Sequence, residues 1–160
     1  VMLKQLLILI ALFSIQLAFS QSTFKKNDIY LEAGGNGLWG SVNYERQLTK
    51  EPGIGVRIGF GFYTENDFFL TLPVGINYLF KLKKENTFID AGLGVTWARE
   101  DGIFFNENKN AFADHFTSFL PSIGYRKHTA KDVLWRASIT PVINEFGFVP
   151  WVGFSIGKRF

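Results

Sequence analysis

Between Asp28 and Phe160 the polarity of the chain alternates with a period of two residues in eight successive segments, separated by clusters of charge, Gly, Asn and Asp. A period of two belongs to β-strands, whose side chains point to opposite faces in turn. The segments run Asp28 to Asn36, Leu38 to Leu48, Ile54 to Tyr63, Phe68 to Phe80, Thr87 to Ala98, His115 to Arg126, Val133 to Ile143 and Val149 to Phe160. Most hold the ~10 residues that a tilted membrane-crossing strand requires. No stretch after Asn27 keeps a helical period, and a composition of 18 Phe and 16 Gly against a single Met favours strands over helices.

The two faces differ in a way that narrows the choice of sheet. One is apolar throughout: Ile29, Leu31 and Ala33; Val42 and Tyr44; Val56, Ile58, Phe60 and Phe62; Leu70 to Phe80 at every second residue; and onward to Val152, Phe154 and Ile156. The other is small or polar. Glu32, Glu45, Arg57, Asp90, Arg126, Arg136 and Arg159 alternate there with Gly34, Gly59, Gly61, Gly75, Gly92, Gly94 and Gly124 and with Ser and Thr. A soluble sandwich or barrel would carry a Lys- and Glu-rich outer face over an apolar core. Glycine interspersed with a few charges suits instead the narrow lumen of an eight-stranded barrel whose aliphatic and aromatic face meets lipid. Tyr44, Phe62, Phe80, Trp97, Tyr125, Trp135 and Trp151, near strand ends, would form the aromatic girdles at the two interfaces.

Connections agree with this reading. The second, fourth and sixth are compact (Thr49 to Gly53, Lys81 to Asn86, Lys127 to Asp132), while the fifth, Arg99 to Asp114, is the longest. Alternation of short periplasmic turns with longer outside loops is the habit of outer-membrane barrels, and an even strand count returns both termini to the periplasmic side. The expected fold is therefore all-β: a closed antiparallel up-and-down transmembrane barrel of about eight strands.

The first twenty residues read differently. Lys4 precedes a nearly continuous apolar run from Leu6 to Phe13, and Ala18-Phe19-Ser20 places small residues before Gln21. This is the pattern of a secretory signal peptide, and the run is shorter than the ~20 residues of a spanning helix. The expected division is residues 1–20 as signal and 21–160 as one barrel domain, in the bacterial outer membrane. With no cysteine, disulfides, thiolate metal sites and a lipoprotein anchor are excluded. Removing Lys4 with the signal leaves a mature chain of only +2, down from +3, so nucleic-acid binding gains no support.

Over the whole mature chain the sequence resembles the small eight-stranded outer-membrane barrels, the group containing the transmembrane domain of outer-membrane protein A. The most specific match is the last strand, where Val152, Phe154, Ile156 and the terminal Phe160 occupy alternate positions and Lys158 departs from the pattern. The resemblance implies that this strand is an assembly signal read by the barrel-assembly machinery. It also implies a monomer in contact with outer-membrane lipid and lipopolysaccharide, without a cofactor. The segment from Tyr30 to Arg46 is similar in style to barrels of Bacteroidetes-type bacteria.

Candidate chemistry is sparse. The inward charges Glu32, Glu45 and Asp90 against Arg57, Arg126, Arg136 and Arg159 must pair if buried, and they read either as a polar conduit or as a plug; the small bore favours the plug. Two lipid A-modifying enzymes, a deacylase and a palmitoyltransferase, are barrels of similar size, and the deacylase family sets a His and a Ser two residues apart on one strand face. Here His115 is followed by Thr117, and Ser118 falls on the opposite face. Asp114, His115 and Ser118 remain the one acid, imidazole and hydroxyl cluster near the outer rim. The outside loops are acidic (Glu65, Asp67, Glu100, Asp101, Glu107, Asp114 and Glu145 against Arg99 and Lys109), without the Gly-pivoted spacing of a calcium loop. Phe104, Phe105, Phe112 and Phe116 in the fifth connection could mark a binding surface. The leading expectation is a noncatalytic barrel with a structural or loop-mediated role; the alternatives are a rim enzyme and a secreted lipocalin-like carrier with its apolar face inward.

Overall fold

The computed structural model describes residues 24–64, 68–100, 115–145 and 147–160. The signal segment, Asp114 and most of the fifth connection, including Phe104, Phe105 and Phe112, lie outside the described residues. Among the described residues there are ten strands: β1 (Asn27–Gly34), β2 (Gly40–Gln47), β3 (Ile54–Thr64), β4 (Phe68–Lys81), β5 (Thr87–Glu100), β6 (His115–His128), β7 (Val133–Ile139), β8 (Val142–Asn144), β9 (Gly147–Val149) and β10 (Val152–Arg159). Strands β1 to β7 each pair antiparallel with the next, β7 pairs with β10, and β10 pairs with β1. That closes a ring of eight, which leaves no free sheet edge around the wall. Between β1 and β10 the seam is finished by the terminal residue, whose N–H donates to the Asn27 carbonyl at 2.8 Å.

Alternation is visible in solvent exposure. Leu31, Ile58, Phe60, Ile76, Ile123, Ile139 and Val152 are exposed on the outer wall, and the intervening Glu32, Glu45, Arg57, Asn77, Asp90, Arg126, Arg136 and Ser155 are buried in the lumen. The contrast is wide: Ile139 is 60% exposed and Arg126 0%. With the apolar face turned outward and charge in the lumen, the lipocalin-like arrangement is overturned.

Several strand ends differ from the sequence reading. The segment expected to run to Asn36 stops at Gly34, and the one expected from Leu38 begins at Gly40. Between them Gly35–Gly37 forms a 3-10 turn whose three residues are all buried. Gly34 (φ 71°) and Gly35 (φ 63°) take left-handed conformations that steer the chain inward. A Cβ on Gly34 would collide with the Val152 carbonyl oxygen. From β1 the turn reaches across the lumen to strands on the far wall: Thr96 Oγ1 on β5 donates to the Asn36 carbonyl at 2.5 Å, and Thr71 Oγ1 on β4 to the Gly37 carbonyl at 3.1 Å.

The expected seventh strand, Val133 to Ile143, divides into β7 and β8 at Thr140-Pro141, and the expected eighth, Val149 to Phe160, divides into β9 and β10 at Pro150-Trp151. A proline, which supplies no ladder N–H, stands at each break, Pro141 and Pro150, whereas Pro73 and Pro121 lie within the unbroken β4 and β6. The Thr140 N–H still donates to the Trp151 carbonyl at 2.8 Å, holding the two breaks level with one another.

Two further expectations are corrected. Phe116, grouped with the loop aromatics as a binding surface although it falls within the sixth segment, lies in β6 and packs in the lumen with Leu38, Ala98, Leu120 and Val142. Trp151, assigned to a girdle, is half-buried against that cluster and donates its indole N–H to the Leu38 carbonyl at 3.0 Å. The inner face is also less uniformly small than expected. Tyr30, Leu79, Phe88, Leu120 and Leu134 are buried on it, and Phe88 lies 4.9 Å from the buried His128 ring.

Candidate functional site: the barrel lumen

Arg126 on β6 organises the lumen. Its Nη1 and Nη2 donate to the two oxygens of Glu45 on β2 at 2.6 and 2.7 Å, a bidentate fork. Nη2 also lies 2.7 Å from Asp90 Oδ2 on β5, and Nη1 3.5 Å from Asp28 Oδ2 on β1. Arg136 on β7 reaches Asp90 at 3.2 Å and pairs with Glu32 on β1. Asn77 on β4 donates to both Glu45 (3.0 Å) and Asp90 (3.1 Å), Gln47 donates to Glu45 at 3.0 Å, and Ser155 on β10 donates to Glu32 at 3.3 Å. The Arg136 guanidinium also lies over the Tyr30 ring, 5.4 Å from its centroid. Seven of the eight ring strands therefore contribute a partner to one connected array.

Of the sequence-selected charges, the structure brings Glu32, Glu45, Asp90, Arg126 and Arg136 together. Arg159 sits at the end with the termini, 3.8 Å from Asp28 Oδ1. Arg57 is buried on the same inner face and forms no ion pair among the described residues. Asp28 was not singled out in the sequence, although the alternation that turns Ile29 and Leu31 outward places it on the inner face with Glu32. With it, the lumen holds four buried acids and four buried arginines, a formal balance that is reached only by counting Arg57 outside the paired array. Isolated charge at this depth would be costly, and mutual pairing offsets part of that desolvation, while Glu32 Oε2 and the Nε atoms of Arg126 and Arg136 keep no hydrogen-bond partner.

Above the array lie the Gly35–Gly37 turn and then the apolar cluster of Leu38, Ala98, Phe116, Leu120 and Val142. The lumen is thus obstructed in three successive layers: charge lattice, backbone plug, apolar lid. A passive conduit would have to breach all three.

Of the three rim candidates, only Ser118 has its side chain among the described residues. Ser118 is fully buried in the lumen and its hydroxyl accepts from Asn144 Nδ2 at 3.2 Å. His115 begins β6, with its backbone opposite Arg99 on β5. Val152, Phe154 and Ile156 stand on the outer wall of β10, with Phe160 exposed at its end. Among the described residues no three His, Asp or Glu side chains converge as metal ligands.

No protein-family model matches the chain, and no curated protein matches it either. Solved structures do. The N-terminal β-barrel domain of Pseudomonas aeruginosa OprF superposes with a TM-score of 0.63 at 15% identity, over 86% of this chain and 100% of that one. Ail, the attachment invasion locus protein of Yersinia pestis, matches in complex with the heparin analogue sucrose octasulfate with a TM-score of 0.53 at 15% identity, again over 86% of this chain and 100% of that one. At such identity the likeness is one of architecture. The chain has the fold of these small barrels: a closed, eight-stranded, antiparallel β-barrel with an apolar wall and a charged, filled lumen.

Proposed function

We propose that this protein is an integral outer-membrane barrel with a sealed lumen, noncatalytic, which serves the envelope as a rigid membrane-anchored scaffold for its loops. The observation that carries the reading is the inverted polarity of the wall. A continuous outer band containing Leu31, Ile58, Ile76, Ile123 and Phe154 is exposed around a lumen of paired charges, an arrangement that is stable where the surroundings are hydrocarbon. The fold shared with OprF and Ail supports the same location. On this reading the partners are lipid and lipopolysaccharide along the wall and the barrel-assembly machinery at β10, and the protein works as a monomer. Binding roles fall to the loop end, where Trp39 and Phe148 are exposed.

The test is gel mobility of the protein from outer-membrane fractions, unboiled and boiled in detergent. A faster unboiled band is expected. A soluble protein without a shift would overturn the membrane assignment, and solute uptake by vesicles carrying the folded barrel would overturn the sealed lumen.

A further inference from the structure

The end of the barrel that carries the termini is ringed by cations in a particular geometry. Arg46 on β2, Lys127 on β6 and Lys158 on β10 all stand on the outward face, each in the position that follows an apolar or aromatic residue of the wall: Tyr44, Tyr125 and Ile156. Lys127 is also the register partner of Trp135. The polar boundary is marked at the same level by Tyr44, whose hydroxyl donates to Asn27 Oδ1 at 2.8 Å. Just beyond it the turns expose Lys50, Lys83, Lys84 and Lys131.

Little at this rim neutralises them. Among the described residues its surface acids are Glu51, Glu85 and Asp132, and Asp132 is held by Lys25 at 2.6 Å. Arg46, Lys127 and Lys158 form no ion pair among the described residues. Arg46, Lys158 and Lys127 stand on the alternate strands β2, β10 and β6, and Lys83 and Lys84 in the turn between β4 and β5 continue around the far side, so the cations form a belt rather than a pocket. A soluble anion or a docked protein would touch one side of such a belt; a leaflet surrounding the barrel touches all of it. Long cationic side chains one step past an aromatic row reach the phosphate level while their stems stay against the apolar wall.

We infer that the terminal rim is a binding surface for anionic phospholipid headgroups, with Arg46, Lys127 and Lys158 contacting their phosphates. The inference rests on the membrane reading above and adds the lipid class and the leaflet side. An anionic lipid gains on the order of five-fold in local preference for each cation that reaches the headgroup plane, and the gain is screened by salt.

The experiment reconstitutes the full barrel in phosphatidylcholine vesicles containing a minor fraction of phosphatidylglycerol. Spin-labelled phosphatidylglycerol and phosphatidylcholine report the lipid immobilised on the wall. The expected result is a several-fold preference for phosphatidylglycerol that falls toward unity in molar salt and in R46Q/K127Q/K158Q. The single variant K158Q should lose part of it. Folding of each variant is checked by the heat-dependent gel shift. A shifted, folded barrel with no preference, or with a preference that the substitutions leave intact, overturns the proposal while leaving the membrane reading standing; loss of the shift in the unmodified protein overturns the membrane reading itself. In vesicles that also contain lipopolysaccharide, a preference for it over phosphatidylglycerol that depends on the same three cations overturns the proposal and leaves the membrane reading standing.

Discussion

Arg126 and Glu45 face one another along a diameter of the barrel, β6 and β2 being four strands apart in the ring of eight, and they meet through two parallel hydrogen bonds of 2.6 and 2.7 Å with both side chains wholly buried. A cross-brace of this kind ties opposite walls that no backbone ladder joins. Truncating one partner strands the other charge in the lumen. Glu45→Leu or Arg126→Leu is therefore expected to cost about 3–5 kcal/mol of unfolding free energy. The pair Glu45→Leu with Arg126→Leu should cost less than the sum of the two, although Asp90 still loses a partner. Urea unfolding of the vesicle-embedded protein measures all three, and strict additivity would mean that the brace contributes nothing.

Sealing is expected to be redundant. The Gly35–Gly37 turn blocks the lumen at one level and the Arg126 array at another. Gly94 leaves room for the Asn36 amide, which a Cβ there would strike, so Gly94→Leu should displace the plug. On its own this variant should stay non-conducting in planar bilayers; combined with Arg126→Ala and Arg136→Ala in the lattice and Phe116→Ala and Leu120→Ala in the apolar lid it should pass small ions. Conductance in Gly94→Leu alone would show that the charge lattice is already permeable.

Much of this was legible in the sequence because a strict period of two assigns every side chain to a face, and Glu32, Glu45, Asp90, Arg126 and Arg136 fall on one face wherever the strands begin. What escaped depends on contacts between distant parts of the chain. Asn36 reads as the end of the first strand, yet the φ values of Gly34 and Gly35 end that strand at Gly34 and turn the backbone itself into the lumen, where Thr96 on the opposite wall donates to the Asn36 carbonyl. Phe88, Leu79 and Leu134 look like wall residues by chemistry, but they fill the lumen near the termini. Arg57 lies directly opposite Glu45 in the β2 and β3 register, yet Glu45 pairs with Arg126. Face can be read from one strand, whereas partner choice across a lumen cannot.

The short turns carry their own demands. Asn86 stands at φ 54° between β4 and β5, a left-handed position that asparagine tolerates and β-branched residues do not. Asn86→Gly should leave stability nearly unchanged, whereas Asn86→Val should lose about 1–2 kcal/mol. Paired urea unfolding curves distinguish the two, and equal curves would place no weight on this conformation.

At the exposed sixth connection, the hydrogen bond from Lys25 holds the Asp132 carboxyl below the usual aspartate range. A carboxylate with a depressed folded value adds stability above its unfolded value and loses it as pH falls through the folded one. The Lys25 link to the sixth connection should thus be intact at neutral pH and released only in strong acid. Lys25→Gln is expected to move the Asp132 titration back toward the ordinary range, with little change in global stability because the pair is solvent-screened. Carboxyl NMR of the folded protein reads the shift directly; an unmoved titration would assign the depression to another group.

The final strand separates stability from assembly. The Phe160 ring is exposed at 54%, so its side chain adds little to the folded barrel, whereas its backbone N–H and carbonyl close the β1 and β10 seam through Asn27. Phe160→Ala keeps that backbone and is expected to leave the unfolding midpoint of refolded protein within about 0.5 kcal/mol of the parent. Removing residue 160 altogether loses the seam and should destabilise. If the alternate apolar residues Val152, Phe154, Ile156 and Phe160 are read in extended form by the assembly machinery, Phe160→Ala should instead reduce the fraction inserted in cells several-fold, seen as unshifted protein on unboiled gels. Equal insertion with equal stability would remove Phe160 from the signal and leave it a role only in closing the barrel.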